Sequence, residues 1–384
     1  MKQKTESIIR NGRSSNILRC MATLFVFLLH GRSYIPKIDE LPHLFKWISN
    51  FPAWAGVWIF LFLSGYGVGY GFFSGKYILH KNGRISFLMI IKFYIGRFVK
   101  IAPIYYIYCF IFELLSGNTF FWNNGKVLLK MITFTFNGNG GISGLGHLWY
   151  ISLAMQLYIF MPFIYLIINR LLKNKYAWIF AFYTIAFCGV FCRCYIVNMG
   201  YDWYTYSYTN CLANIDLVIL GMLTAKIKLD FIISIKNRKL IKNIASLIFV
   251  SLVMYNCYIY ALSTAKHVFI YRCILPTTYA LCSTLILLLS GNSLEKRTYN
   301  FFDRIINSFS AYSYAFYIWH IAVFRYISST LVQTTWFSTN NAIIQYIAFF
   351  SICFVINMLL AGLSTSFNKI LPLKYFKFEK KVNK

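Results

Sequence analysis

Residues 18–31 read LRCMATLFVFLLHG. The stretch is apolar enough for a bilayer, yet Arg19 stands near its start and His30 near its end. The two are 11 residues apart, about 16 Å and three turns of a helix, and within about 20° of one face. Ionisable groups in lipid are costly and need a reason. The rest of the chain shows how many such stretches there are and what surrounds them.

The chain has 384 residues, of which 59% are hydrophobic, 20% aromatic and only 12% charged. A soluble domain carries about 25% charged residues. Apolar runs of membrane-spanning length recur from end to end. Ten candidate spans fall at about 15–34, 50–73, 97–117, 147–170, 176–197, 211–226, 243–263, 268–290, 308–330 and 342–367. In lipid only helices or a closed barrel satisfy the backbone, and these runs are too long and too unalternating for barrel strands. The sequence therefore predicts an all-α, polytopic integral-membrane helical bundle of about ten transmembrane helices.

The net charge of +28 raises the question of a nucleic-acid partner, and the positions of the charges argue against one. With the N-terminus in the cytoplasm, about 29 of the 38 Lys and Arg fall on the cytoplasmic side, as the positive-inside rule requires. Both termini are then cytoplasmic, with a basic N-terminal tail at about 1–14 and a basic C-terminal stub, LPLKYFKFEKKVNK, within about 368–384. The basic face attracts membrane lipid headgroups and acidic ligands. No cleavable signal peptide is expected. One domain, 1–384, is expected, because no Pro/Ser-rich linker interrupts the spans. The Gly-rich NGNGGISGLG at 137–146 lacks GK[ST] and reads as an outer loop, not a phosphate cradle. The ten Cys show no CxxC pairing and read as small core hydrophobes. Only Cys192 and Cys194 are placed for a disulfide or a reactive thiol. No metal site is expected, for want of clustered ligands.

Chemistry-bearing residues recur along the spans. The third opens KFYIGRFVKIAPIYY (92–106), where Arg97 and Lys100 share a helix face ahead of Pro103. Together with Arg19 they suggest a seat for a polyphosphate carrier at the inner surface. The second, GVWIFLFLSGYGVGYGFF (56–73), sets Ser64 in a strip of small residues that allows close helix approach. The fourth opens GHLWYISLAMQLYIFMPFI (146–164), with His147, Trp149 and Tyr150 where an aromatic belt is expected. The ninth carries AYSYAFYIWHIAVF (311–324), which puts Ser313, Tyr317 and His320 toward mid-bilayer. Asp216, in NCLANIDLVILGM (210–222), and Glu113 are carboxylates in the outer half, either of which could orient an imidazole.

In this order, the residues resemble acyltransferase family 3, the bacterial integral-membrane O-acyltransferases of surface glycans. The carriers are the Arg-x10-His of Arg19 and His30 and the W-x-F-F-x-x-SG-like VWIFLFLSGY. With them go the basic pair before I-x-P, His147-Leu148-Trp149-Tyr150, and the SYxxYxxH-like Ser313, Tyr317 and His320. The resemblance covers all ten spans. It implies acetyl-CoA as donor, bound by Arg19, Arg97 and Lys100, with its pantetheine arm in a channel leading to a general base, His30. Asp216, Glu113, His320 and Ser64 are implied supports. His147, Trp149, Tyr150, Ser313 and Tyr317 are an acceptor-side or structural motif. The implied acceptor is a surface glycan, such as O-antigen or exopolysaccharide, or a lipid-linked oligosaccharide precursor. The implied place is the bacterial cytoplasmic (inner) membrane.

Two departures stand out. The family's basic pair is usually Arg-x-x-Arg, and here Lys100 loses the bidentate fork. Members with an appended extracytoplasmic hydrolase-like domain often carry a Glu pair after HLWY. Here Ala154 and Met155 stand there, which resembles a stand-alone member. Direct transfer and a covalent acyl-enzyme are both open at this level. The competing class is a polysaccharide exporter or flippase, which also uses intramembrane His and carboxylates.

Overall fold

A computed structural model describes residues 12–370, apart from 36, 51, 82–83, 116–119, 138–143, 231–237, 263–268 and 291–299. Most of the Gly-rich loop, the first eleven residues and the C-terminal stub lie outside the described residues.

Ten helices of 15 residues or more occur among the described residues. They are α1 (Arg13–Arg32), α2 (Ala53–Phe73), α3 (Phe87–Leu115), α4 (Trp149–Leu171), α5 (Lys175–Asn198), α6 (Ile215–Asp230), α7 (Arg238–Leu262), α8 (Leu275–Leu289), α9 (Phe301–Leu331) and α10 (Ala342–Ile370). Each coincides with one expected span. The only sheet among the described residues is a two-residue hairpin, His80–Lys81 against Arg84–Ile85. The chain is an all-α, polytopic membrane protein.

Seven of the described helical stretches are long and apolar enough to cross a membrane. The three helices that fall short have legible reasons. α6 has 16 residues. In α7 the described apolar stretch is Leu240–Tyr255, although the helix continues to Leu262. α9 carries Ser310, Ser313, Tyr314, Tyr317, His320 and Arg325 through its middle turns.

One expected boundary was ten residues late. α3 begins at Phe87 and runs for 29 residues, through Pro103. A proline removes one backbone donor and crowds the preceding turn, yet the helix continues beyond it. At about 1.5 Å per residue α3 is longer than a hydrocarbon core of about 30 Å. Arg97 therefore sits a third of the way along a helix, not at its start.

The chain divides into two compact units, Met1–Phe60 with Lys236–Thr365, and Leu61–Ile235 with Ser366–Lys384. The first unit is built on α1 and α9, the most extensive helix pair in it, with α7 packed on α8. The α1–α9 pair is parallel and in register. Asn16 meets Asn307, Arg19 meets Ser310 and His30 meets His320, at offsets of 291, 291 and 290 residues. Between the two ends Phe27 packs on Phe316 and Phe324 of α9 and on Phe350 and Phe354 of α10. Gly31 lets α1 close on Phe324 and Phe350, because a Cβ there would lie 2.5 Å from the Phe350 ring.

In the second unit α5 packs on α6 and α3 on α4. The small residues of α2 work there as expected. A Cβ on Gly65 would run into the Val218 backbone of α6, and one on Gly69 would lie 2.8 Å from Met222 Cα.

Candidate functional site

The first unit brings two of the expected residues together. His30 Nδ1 lies 2.7 Å from His320 Nε2. Their ring planes differ by 8° with centroids 5.0 Å apart, so the rings meet edge to edge with the two nitrogens facing. His320 is buried, at 1% exposure, and its Nδ1 lies 2.5 Å from the Tyr317 carbonyl oxygen one turn back.

Proton positions follow from this chain. A carbonyl only accepts, so His320 Nδ1 carries the proton. The Nε2 atom of a neutral His320 is then an acceptor, and His30 Nδ1 must donate to it. His30 Nε2 is left as the unprotonated nitrogen, the tautomer a general base requires. Tyr317 thus enters the site through its backbone carbonyl, while its buried ring packs 5.4 Å from that of His320. Ser313 donates to the Ser310 carbonyl within α9. Among the described residues no third His, Cys, Asp or Glu joins the histidines in a metal-holding group.

Toward the N-terminus of the same seam, half-buried Arg19 donates from Nη1 to Ser310 Oγ at 3.1 Å. Ser310 Oγ donates to Asn16 Oδ1 at 3.0 Å, and Asn16 Nδ2 donates to Asn307 Oδ1 at 2.7 Å. Below this, Arg13 pairs with Asp303 at 2.9 Å. The guanidinium and the imidazole are thus about 16 Å apart along one helix, each tied to the same neighbour.

In the second unit Arg97 and Lys100 are placed differently, although three residues apart. Lys100 is exposed. Arg97 is buried and donates to the Tyr77 hydroxyl. Its guanidinium carbon lies 4.8 Å from the Tyr77 ring centroid, 5.2 Å from Phe93 and 5.5 Å from Tyr158. Gly71 makes room for Tyr77, since a Cβ there would strike that ring.

The other expected residues are dispersed. Both Asp216 oxygens are engaged by buried Arg193, at 3.1 and 2.8 Å, and Arg193 also donates to the Ala213 carbonyl at 3.0 Å. Glu113 accepts from the Phe121 backbone N–H at 2.9 Å. Ser64 is half-buried and makes no hydrogen bond among the described residues. His147 is buried edge-on to Tyr108, with centroids 5.4 Å apart. Trp149 packs 4.6 Å from Tyr208, and Tyr150 is buried beside it. The HLWY stretch is therefore buried inside the protein, not an aromatic belt facing lipid. All ten cysteines are free thiols, with Cys192 exposed and Cys194 half-exposed.

A family model described as an acyltransferase domain matches residues 13–362. The chain belongs to acyltransferase family 3. It is a membrane acyltransferase, and the match runs from the first turn of α1 into α10. No curated protein and no solved structure matches it.

Sequence reasoning missed several residues of this acyltransferase. Arg193 is one of them: a cation inside the apolar fifth span calls for a carboxylate. Ser310, Asn16 and Asn307 were passed over. Their signal was the recurrence of polar groups three residues apart at the start of two apolar spans. Tyr77, in the loop after α2, carries no sequence signal toward Arg97.

Proposed function

We propose that this acyltransferase moves an acetyl group from cytoplasmic acetyl-CoA to a hydroxyl of a surface polysaccharide or of its lipid-linked precursor. The carrying observation is the fixed tautomer of His30 at one end of the α1–α9 seam, with a cation about 16 Å along the same helix.

In the proposed step His30 Nε2 removes the proton of the acceptor hydroxyl. The hydroxyl oxygen attacks the thioester carbonyl, the C–S bond breaks, and the CoA thiolate leaves. The proton on His30 Nε2 then passes to that thiolate, and the imidazole is restored. As His30 gains charge, its Nδ1–H bond to His320 Nε2 strengthens, because a charged donor makes the stronger hydrogen bond. Arg19 contacts the donor's anionic part. Arg97 and Lys100 are retained as donor contacts on the strength of the motif alone. The direct route is favoured over an acyl-enzyme because the histidine chain leaves one nitrogen basic and needs no second nucleophile.

The positive-inside pattern supports donor entry at the Arg19 end and acceptor entry at the His30 end, in a bacterial cytoplasmic membrane. Membership of an acyltransferase family sets the exporter alternative aside.

The test is glycan NMR and mass analysis of surface polysaccharide from cells with the native gene, without it, and with His30→Ala at matched protein level. Loss of acetyl groups with polymer amount unchanged in both altered strains is expected. Acetylation that survives His30→Ala removes His30 from the chemistry. Loss of the polymer itself overturns the acetyl-transfer reading.

A further inference from the structure

We propose that Ser310, backed by Asn16 and Asn307, is a positioning residue that sets the Arg19 guanidinium toward a polyanionic acyl thioester donor. The inference rests on the assignment of Arg19 as a donor contact.

An arginine near a membrane surface has a long flexible stem and by default carries its head toward water. Arg19 is instead held sideways, against α9. Its Nη1 lies 3.1 Å from Ser310 Oγ. A serine hydroxyl has one proton and two lone pairs. The Ser310 proton goes to Asn16 Oδ1 at 3.0 Å, so lone pairs face the guanidinium. Asn16 is itself oriented, since its Nδ2 donates to Asn307 Oδ1 at 2.7 Å.

Asn16 and Arg19 are three apart on α1, and Asn307 and Ser310 three apart on α9, so each pair shares a helix face. The four form a chain of three hydrogen bonds across one turn of each helix. Asn16 and Ser310 are 5% and 4% exposed. A guanidinium is a rigid planar fork, so fixing one arm fixes the direction of the others. The clamp spares the donor the ordering of that side chain, the kind of preorganisation that raises affinity.

Interhelical hydrogen bonds also serve as plain glue between membrane helices. The two roles separate in a donor titration. Full-length protein in lipid nanodiscs is titrated with CoA, and its thermal midpoint is recorded alongside. Ser310→Ala should weaken CoA binding about tenfold, as expected for one hydrogen bond to a charged group, with the midpoint little moved. Ser310→Thr restores the hydroxyl and should restore affinity. Asn16→Asp places a carboxylate at the clamp. With the Asn307 amide turned to present its Nδ2, the carboxylate accepts from Asn307 and Ser310 and keeps the helices joined while competing for Arg19, so binding falls and the midpoint does not.

If Arg19→Ala binds CoA like the native protein, the donor assignment itself fails. If Arg19→Ala loses binding while Ser310→Ala and Asn16→Asp keep it, the clamp alone is overturned. Should Ser310→Ala fail to fold, Asn16→Asp decides, because undiminished CoA binding in that variant overturns the clamp.

Discussion

His30 Nδ1 and His320 Nε2 face each other at 2.7 Å across the α1–α9 seam, and the Tyr317 carbonyl fixes which nitrogens carry protons. Two residues 290 positions apart thus act as one unit. His320 does not present a charge to His30. It presents a lone pair, which suffices to choose the tautomer.

That relationship predicts the behaviour of His320 variants. His320→Ala removes the acceptor and should lower kcat by roughly 100- to 10,000-fold, the range for a lost or misdirected general base. The pH at which the rate falls off should also move. A merely structural loss would lower the whole profile without moving it. An unmoved profile at normal kcat would show that His30 works without its partner.

The Arg193–Asp216 pair is buried in the second unit, with Arg193 at 1% exposure. Removing one partner strands a buried charge, at a cost of about 3–5 kcal/mol. Asp216→Asn or Arg193→Met should each lower the thermal midpoint strongly. The double variant should recover much of the loss, since two apolar or neutral groups leave no stranded charge. Additive losses in that cycle would show that the pair contributes no coupling.

The glycines of α2 differ sharply in what they allow. Gly65→Ala drives a methyl into the Val218 backbone and should cost at least about 1–3 kcal/mol. Gly67 has open space around its Cβ position. Gly67→Ala should be neutral or gain up to about 1 kcal/mol, as alanine outranks glycine in a helix. Thermal midpoints in one detergent compare them directly.

Arg97 sits among Tyr77, Phe93 and Tyr158 and hydrogen-bonds to Tyr77. Lysine retains the charge but not the planar fork. Arg97→Lys should therefore raise the donor KM by about tenfold, the scale of a lost hydrogen bond to a charged group. The exposed Lys100→Ala should do less. Equal KM values for Arg97→Lys and the native protein would take Arg97 out of donor binding.

Much of this molecule was legible in the chain before any fold. The ten helices follow from apolar length, since lipid leaves the backbone no alternative to internal hydrogen bonds. Family membership was legible because Arg-x10-His, the basic pair, HLWY and the late His span are local spacings. The start of α3 was less legible: 87–96, FLMIIKFYIG, is apolar except for Lys92, and that cation ahead of Arg97 and Lys100 put the run with the basic cytoplasmic side. The environment of Arg97 was hidden for another reason. A loop tyrosine and a ring from α4 come to it only on folding.

The chain by itself determined that the protein is a helical membrane acyltransferase, because hydropathy and motif spacing are properties of neighbours in sequence. It also placed a cation and an imidazole on one face of α1, since helical periodicity is local. Only tertiary structure decided that His320 completes His30, that Ser310 holds Arg19, and that Asp216 belongs to Arg193. Each of these pairings joins separate helices. Partner choice there is set by the register and approach of packed helices, which no single segment encodes.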